Sequence, residues 1–222
     1  MIGRGLLVGA VLVAGTAAEA QQTGTRMDRN AGAARSVNSR DTNNAVLVAN
    51  QFGQCVARRE GKSMKRALEL PYGTDEQQKA MFGVMDSFDG CLGNSEDFDK
   101  LVISGPLTAG GASEYFVKVE AKPADLAAIK GMSDEALAAT AFKPRNGAED
   151  LALCVVRSNP EAVAQLGRTL PASKAEKAAV AAVLPSVGPC VSDGQKLQLN
   201  APSLRALLSY GLYRATVATK PE

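Results

Sequence analysis

The chain has 222 residues, a formal net charge of +2 and 5% aromatic residues, and it contains neither His nor Trp. The lack of His excludes Ser-His-Asp and Cys-His catalysis, His-ligated zinc or haem, and imidazole acid–base chemistry. The near-neutral charge and the scarcity of aromatic stacking surfaces argue against nucleic-acid binding.

The first twenty residues have the pattern of a secretory signal peptide. Arg4 precedes an apolar run at 6–18, and the sequence Ala-Glu-Ala at 18–20 has the small-x-small form of a cleavage site. That run is shorter than the roughly 20 residues of a membrane-spanning helix, so we expect no transmembrane segment in the mature chain. We therefore expect residues 1–20 to be removed and the protein to be periplasmic or secreted.

The rest of the chain divides into four segments. Residues 21–43 are polar and lack a helical or alternating period, which predicts a disordered N-terminal arm. Apolar residues at helical spacing then predict one helical unit over 44–121, a helical connector over 122–146 and a second unit over 147–219. Ala and Leu dominate the apolar residues, which favours packed helices over a sheet. The sequence therefore predicts an all-α fold.

The two helical units resemble each other. CVAR at 55–58 and CVVR at 154–157 lie 99 residues apart, and each unit contains a Leu-Pro pair, at 70–71 and at 170–171. Such self-similarity is typical of a duplicated structural unit. We therefore predict two tandem helical repeats that pack with pseudo-two-fold symmetry.

Each unit also contains a capping-box pattern at the start of a helix. Thr74-x-x-Gln77 occurs in the first unit and Ser173-x-x-Glu176 in the second. In this motif a hydroxyl accepts from the amide three residues on, and the Gln or Glu side chain reaches back. The two patterns are 99 residues apart and support the alignment of the units.

One candidate exception to the all-α prediction is a minimal two-stranded ribbon. Short strand-like runs occur at 101–104 and 197–200, at similar places in the two units. A lone edge strand is not stable, so these runs would have to pair with each other.

The even number of cysteines in an exported chain indicates disulfide bonds. The spacing excludes a Cys-x-x-Cys redox motif, and metal sites need closer ligand pairs. Four cysteines allow three pairings, and the hypothesis we prefer is one bridge within each unit because a self-contained unit can be duplicated. The residues are Cys55, Cys91, Cys154 and Cys190.

An acidic stretch near the second cysteine is a weak candidate for a calcium site. Carboxylate oxygens suit hard cations, but the spacing does not match a calcium-binding loop, and a solvated acidic loop is the simpler interpretation. The sequence therefore gives no metal or cofactor prediction beyond this candidate. Its residues are Asp86, Asp89, Glu96, Asp97 and Asp99.

The paired blocks CVARREGK…LP…C…KLVISGP and CVVRSNPE…LP…C…KLQLNAP resemble a group of small uncharacterised secreted bacterial proteins with a duplicated, disulfide-stapled helical unit. The resemblance covers residues 44–218. It implies export and a duplicated helical hairpin, and it implies no activity.

These features predict an exported, non-catalytic binding or interaction protein whose partner is an unknown protein or small ligand. One alternative is a His-free, carboxylate-dependent hydrolase, which needs two carboxyls about 5 to 10 Å apart, one with a raised pKa. The other is a carrier of an apolar ligand between the two repeats, which needs a cavity above roughly 300 Å³.

Overall fold

The computed structural model describes residues 39–85, 91, 104–133, 135–136, 142–191 and 199–220. Within these ranges the chain forms nine α-helices and no strand, which confirms the all-α prediction. The helices of the first half and the connector are α1 (Ser39–Arg59), α2 (Gly61–Glu69), α3 (Asp75–Met85), α4 (Gly105–Glu120) and α5 (Pro123–Lys130). Those of the second half are α6 (Gly147–Ser158), α7 (Pro160–Arg168), α8 (Lys174–Val187) and α9 (Ala201–Ala218).

Several expected boundaries can be placed on these helices. The expected signal peptide lies outside the described residues, as does most of the expected arm, and α1 begins at Ser39, before the expected start of order at residue 44. Helix α6 begins at Gly147, where the second unit was expected to begin. Most of the expected two-stranded ribbon lies outside the described ranges. Its last residues, Ser104 and Asn200, are the N-caps of α4 and α9.

Helices α4 and α9 form the centre of the molecule and run parallel to each other. Gly110 lies against Ala206, and further along both helices the ring of Phe116 lies 5.3 Å from that of Tyr213. Both contacts advance by about two turns in the same direction, which defines a parallel pair. Every residue of α9 from Ser203 to Thr216 is buried, as expected for a helix enclosed on all sides.

Glycines allow the central helices to approach their neighbours closely. A Cβ on Gly111 would overlap the Asn50 carbonyl of α1, and one on Gly110 would overlap the backbone of Ala206. On the other side, Gly211 of α9 lies against Ala152 of α6. These four helices are therefore arranged in the order α1, α4, α9, α6, and the other helices pack around them.

Helix α9 contributes to two hydrophobic cores. Tyr210 and Tyr213 complete the core formed by helices α1 to α4. Leu208 and Leu212, on another side of α9, pack into the core formed by α5 to α8. Because one helix completes both cores, the two halves share their hydrophobic interior.

One disulfide bond lies within each half. Cys55 is bonded to Cys91 and Cys154 to Cys190, each pair being 36 residues apart. Closing a loop of this length contributes about 4 kcal/mol in the chain-entropy model. The two bonds indicate an oxidising compartment. Among the described helices, none combines the length and the apolar character that crossing a membrane requires.

The last three helices of the first half and the last three of the second half begin at similar spacing. Gly61 of α2 and Pro160 of α7 are 99 residues apart, and so are the first residues of α3 and α8. The first residues of α4 and α9, Gly105 and Ala201, are 96 residues apart. This regular spacing is what the tandem-repeat prediction requires.

The turn before α3 and the turn before α8 correct the register of that alignment. Gly73 and Ala172, again 99 residues apart, are the residues with positive φ in the described ranges. At this offset Tyr72 corresponds to Pro171, so the two Leu-Pro pairs are not equivalent but shifted by one residue. The Leu-Pro dipeptides therefore do not mark the same position of the turn. The turn depends on the residue in the left-handed conformation and not on the proline.

Candidate functional site

A buried arginine joins two buried carboxylates at the contact between α4, α8 and α9. Arg205 donates from Nε to Oε1 of Glu114 over 2.6 Å and from Nη2 to Oε2 over 2.9 Å. It also donates from Nη1 to Oε1 of Glu176 over 3.0 Å. The side chain of Arg205 is only 3% exposed, so this is a buried ion triad rather than a surface pair.

The same guanidinium closes the turn between α7 and α8. It donates to the Thr169 carbonyl over 2.8 Å and to the Thr169 hydroxyl over 3.1 Å. Burial lowers the pKa of Arg205, but the hydrogen bonds and charges of Glu114 and Glu176 outweigh burial and raise its pKa above the ordinary value. The arginine is therefore held as a cation and organises the backbone around it.

Glu114 receives three further hydrogen bonds. Asn50 donates over 2.9 Å, Gln54 over 3.4 Å and the Ser209 hydroxyl over 3.2 Å. Burial raises the pKa of Glu114, while the hydrogen bonds and charge of Arg205 oppose that increase. Both carboxylate oxygens are thus occupied by side chains of α1 and α9.

A third buried carboxylate, Glu149 at the start of α6, receives five hydrogen bonds. Its donors are the Tyr72 amide at 2.9 Å, the Tyr210 hydroxyl at 2.8 Å, and the amide, Nε and Nη2 of Arg145 at 2.8, 3.2 and 2.9 Å. Burial alone raises the pKa of Glu149, but the hydrogen bonds from Arg145, Tyr72 and Tyr210 hold it below the ordinary value. The group is therefore ionised at neutral pH.

This second cluster attaches a turn of the first half to the second half. The Tyr210 hydroxyl donates to the Leu70 carbonyl over 3.0 Å, and Asn146 donates to the Tyr72 carbonyl over 3.0 Å. Arg145 adds a hydrogen bond to the Glu69 carbonyl. The polar side chains of this cluster thus bind backbone carbonyls of the first half and hold that turn against the second half.

The two clusters leave little room for a substrate. No buried side-chain nitrogen or oxygen among the described residues lacks a hydrogen-bond partner. Two cavities border Glu114, one beside Val163 and one beside Pro171, and each has a volume of about 10 Å³. That volume holds about one water molecule, so the described clusters have the geometry of structural networks.

The candidate residues of the acidic stretch lie outside the described residues, namely Asp86, Asp89, Glu96, Asp97 and Asp99. Within the described ranges, no group of three or more Cys, Asp or Glu residues could hold a metal ion. The four cysteines are all in disulfides.

Sequence reasoning identified Glu176 only as a helix-capping residue and missed the other residues of the two buried clusters. Glu114 and Arg205 are 91 residues apart in the chain, and neither belongs to a motif. A usable signal existed, because each is a charged residue within a run of mostly apolar and small residues, and a charge that such a run buries needs a partner. The sequence alone could not identify that partner.

Comparison of this chain with models of protein families, with curated proteins and with solved structures gives no match.

Proposed function

We propose that this chain is an exported, non-catalytic binding or interaction protein of the periplasm or the extracellular space. The observation that carries the proposal is the occupation of Glu114, Glu149 and Arg205 by hydrogen bonds within the scaffold. A catalytic acid or base must instead reach a substrate proton, directly or through one water. The two disulfides support work in an oxidising compartment.

We also propose that the scaffold is a tandem repeat with pseudo-two-fold symmetry. At the offsets of 99 and 96 residues, Asn50 corresponds to Glu149 and Glu114 corresponds to Tyr210. Each pair is hydrogen-bonded, Asn50 to Glu114 over 2.9 Å and Tyr210 to Glu149 over 2.8 Å. Gly110 and Ala206, which face each other, are also equivalent positions, as expected for residues beside a two-fold axis.

A carboxylate-dependent hydrolase is the second candidate. Glu114 and Glu176 flank one guanidinium, and burial raises the pKa of Glu114, which are features of paired catalytic carboxyls. Against this candidate, the cavities beside Glu114 have room for about one water molecule each. The same volumes are far below the roughly 300 Å³ that a carried apolar ligand needs.

The test combines binding and turnover on the mature, disulfide-bonded chain. The immobilised chain is incubated with an extract of the compartment to which it is exported, and the free chain with chromogenic glycosides and esters. We expect saturable capture of one partner, which disappears when the chain is reduced and alkylated, and no turnover.

Two matched variants identify the outcome that would contradict this proposal. Glu114→Gln removes the buried carboxylate, whereas Glu161→Gln removes a surface carboxylate that is 55% exposed. Turnover that Glu114→Gln abolishes and Glu161→Gln leaves unchanged, with both variants still folded, would establish the hydrolase instead.

A further inference from the structure

The end of α1 and the start of α2 form an exposed cationic surface, here called the basic corner. Its members are Arg58, Arg59, Lys62 and Arg66, and all four are exposed. Lys62 and Arg66 lie one turn apart on the outer face of α2. Glu69, another turn along, is an exposed carboxylate at the far end of this face.

Most cations of the basic corner take no part in the fold's ion pairs. No carboxylate of a described residue lies within 4.0 Å of Arg59, Lys62 or Arg66. Among the described residues, the one side-chain hydrogen bond of Arg66 is a long 3.5 Å contact with the Ser63 hydroxyl. The neighbouring Lys65 differs, because it forms a 2.7 Å ion pair with Glu120.

Comparison with the second half, at the 99-residue offset, separates a cation that both halves contain from three that only the first half contains. Basic residues near a helix C-terminus stabilise the helix dipole, and Arg157 of α6 occupies the place of Arg58 at the 99-residue offset. The other three places hold no cation in the second half, although α7 has the same nine-residue length as α2. Those places are held by Ser158, Glu161 and Gln165, opposite Arg59, Lys62 and Arg66. The helix pair therefore forms without these three cations.

The shape and composition of the basic corner favour an extended anionic surface over a small ligand or a protein. The four cations are exposed at the end of α1 and on α2, and none of them lines either of the two cavities beside Glu114. The centres of protein interfaces are enriched in Arg and in aromatic residues and depleted in Lys. The exposed residues of this corner include Lys62 but no aromatic side chain. Phosphate headgroups of a bilayer present many anions in one plane, which suits dispersed cations.

We propose that the basic corner binds the protein to the surface of a membrane that contains anionic lipids. This inference rests on the binding function proposed above and names the partner class of that function. Attraction of roughly 1 kcal/mol for each Lys or Arg near an anionic surface makes the three unmatched cations worth about a hundred-fold in membrane partitioning.

The test is co-sedimentation of the mature, disulfide-bonded chain with vesicles at low ionic strength. Vesicles of phosphatidylcholine with phosphatidylglycerol are compared with vesicles of phosphatidylcholine alone. We expect binding only to the anionic vesicles and its loss at high salt, because surface attraction is screened. R59Q/K62Q/R66Q should lower partitioning by about a hundred-fold.

Two further variants distinguish an effect of the basic corner on partitioning from an effect of the net charge of the protein. K143Q/K174Q/K177Q removes three other exposed lysines and the same charge, and it should retain partitioning within a few-fold. Introducing S158R/E161K/Q165R into the neutralised chain should restore binding from the second half. Equal losses in both triple-neutral variants would overturn the proposal.

Binding of soluble polyglutamate without binding of anionic vesicles would also overturn it, in favour of an acidic protein partner. No enzyme substrate and no extract enter this assay. A failure here therefore leaves the non-catalytic function standing, whereas enzymatic turnover would remove that function without changing the vesicle result.

Discussion

At offsets of 99 and 96 residues, the two halves place the same kind of polar contact but exchange the donor and acceptor roles. In the first half Asn50 donates to the carboxylate of Glu114, and in the second half the Tyr210 hydroxyl donates to the carboxylate of Glu149. The carboxylate lies on the fourth helix of one half and on the first helix of the other. A buried contact can thus keep its geometry while donor and acceptor change places.

The capping positions show a difference with larger consequences. The amide of Gln77 accepts from Gly73 and donates to the Leu70 carbonyl over 3.3 Å. Glu176, its equivalent, accepts from Ala172 but has no proton to donate when ionised. Arg205 supplies the missing donor, so the second half depends on a buried cation that the first half does without.

Removing that cation should produce the largest effect. Arg205→Met leaves two carboxylates buried without their partner, and it should lower the free energy of unfolding by about 3 to 5 kcal/mol. Denaturant unfolding measures this change. The neutral set E114Q/E176Q/R205M should recover at least half of the loss, because it removes the unpaired charges.

Lys65→Met provides the control for the loss of a single cation. Its ion pair with Glu120 is partly exposed, with 39% of the Lys65 side chain accessible, so its removal should cost less than about 1 kcal/mol. Similar losses for Arg205→Met and Lys65→Met would show that burial of the triad does not matter.

Removing the disulfide of the first half and removing that of the second half should lower the free energy of unfolding by similar amounts. The pairs C55A/C91A and C154A/C190A open loops of the same length, and each should lower the free energy of unfolding by about 4 kcal/mol, less any strain. Thermal and denaturant unfolding of both variants tests the comparison. A loss confined to one pair would mean that only one half uses its bridge for stability.

Lowering the pH should reduce the free energy of unfolding, because Glu149 becomes protonated. Because its pKa is lower in the folded than in the unfolded chain, its contribution is complete above the ordinary value of 4.5 and is lost as the pH falls below it. The pH dependence of the unfolding free energy should be steeper in the wild type than in Glu149→Gln. Parallel curves between about pH 3 and pH 7 would contradict this assignment.

The smallest predicted effect concerns the two left-handed residues. Ala172 has φ of 60° and Gly73 has φ of 73°, a conformation that costs a non-glycine residue roughly 1 to 2 kcal/mol. Gly73→Ala should therefore destabilise the chain by about 1 kcal/mol, since its Cβ would meet open space and only the backbone matters. Ala172→Gly should stabilise it by up to about 1 kcal/mol. Equal signs for the two changes would show that the turns are not equivalent.

Local patterns predicted the elements that depend on neighbouring residues. The hydroxyls of Thr74 and Ser173 accept from the amides three residues on, as the capping-box pattern predicts. The side chains of Gln77 and Glu176 reach one residue further back than that pattern states, to Gly73 and Ala172. The positive φ of those residues directs the amide toward the side chain, and sequence spacing contains no such information.

The buried clusters could not be predicted because their members meet only in the folded chain. The apolar stripe of α9 correctly placed Leu204, Leu208 and Leu212 in the interior. Arg205 and Arg214 are of a residue type that usually faces solvent, yet both are buried. An amphipathic pattern assumes one exposed face, and α9 has none because α4, α6 and α7 surround it.

The contact between α4 and α9 also has a consequence for the order in which the chain folds, because the two helices lie far apart in the sequence. The chain is synthesised from its N-terminus, so Cys55 and Cys91 can form their disulfide before α9 has been made. Glu114, in contrast, has no Arg205 to pair with until 91 further residues have been added. Until α9 is made, the first half lacks both the cation for this carboxylate and the Tyr210 and Tyr213 side chains that complete its core. Contacts of such sequence separation slow folding, so docking of α9 is the step at which both halves become native together.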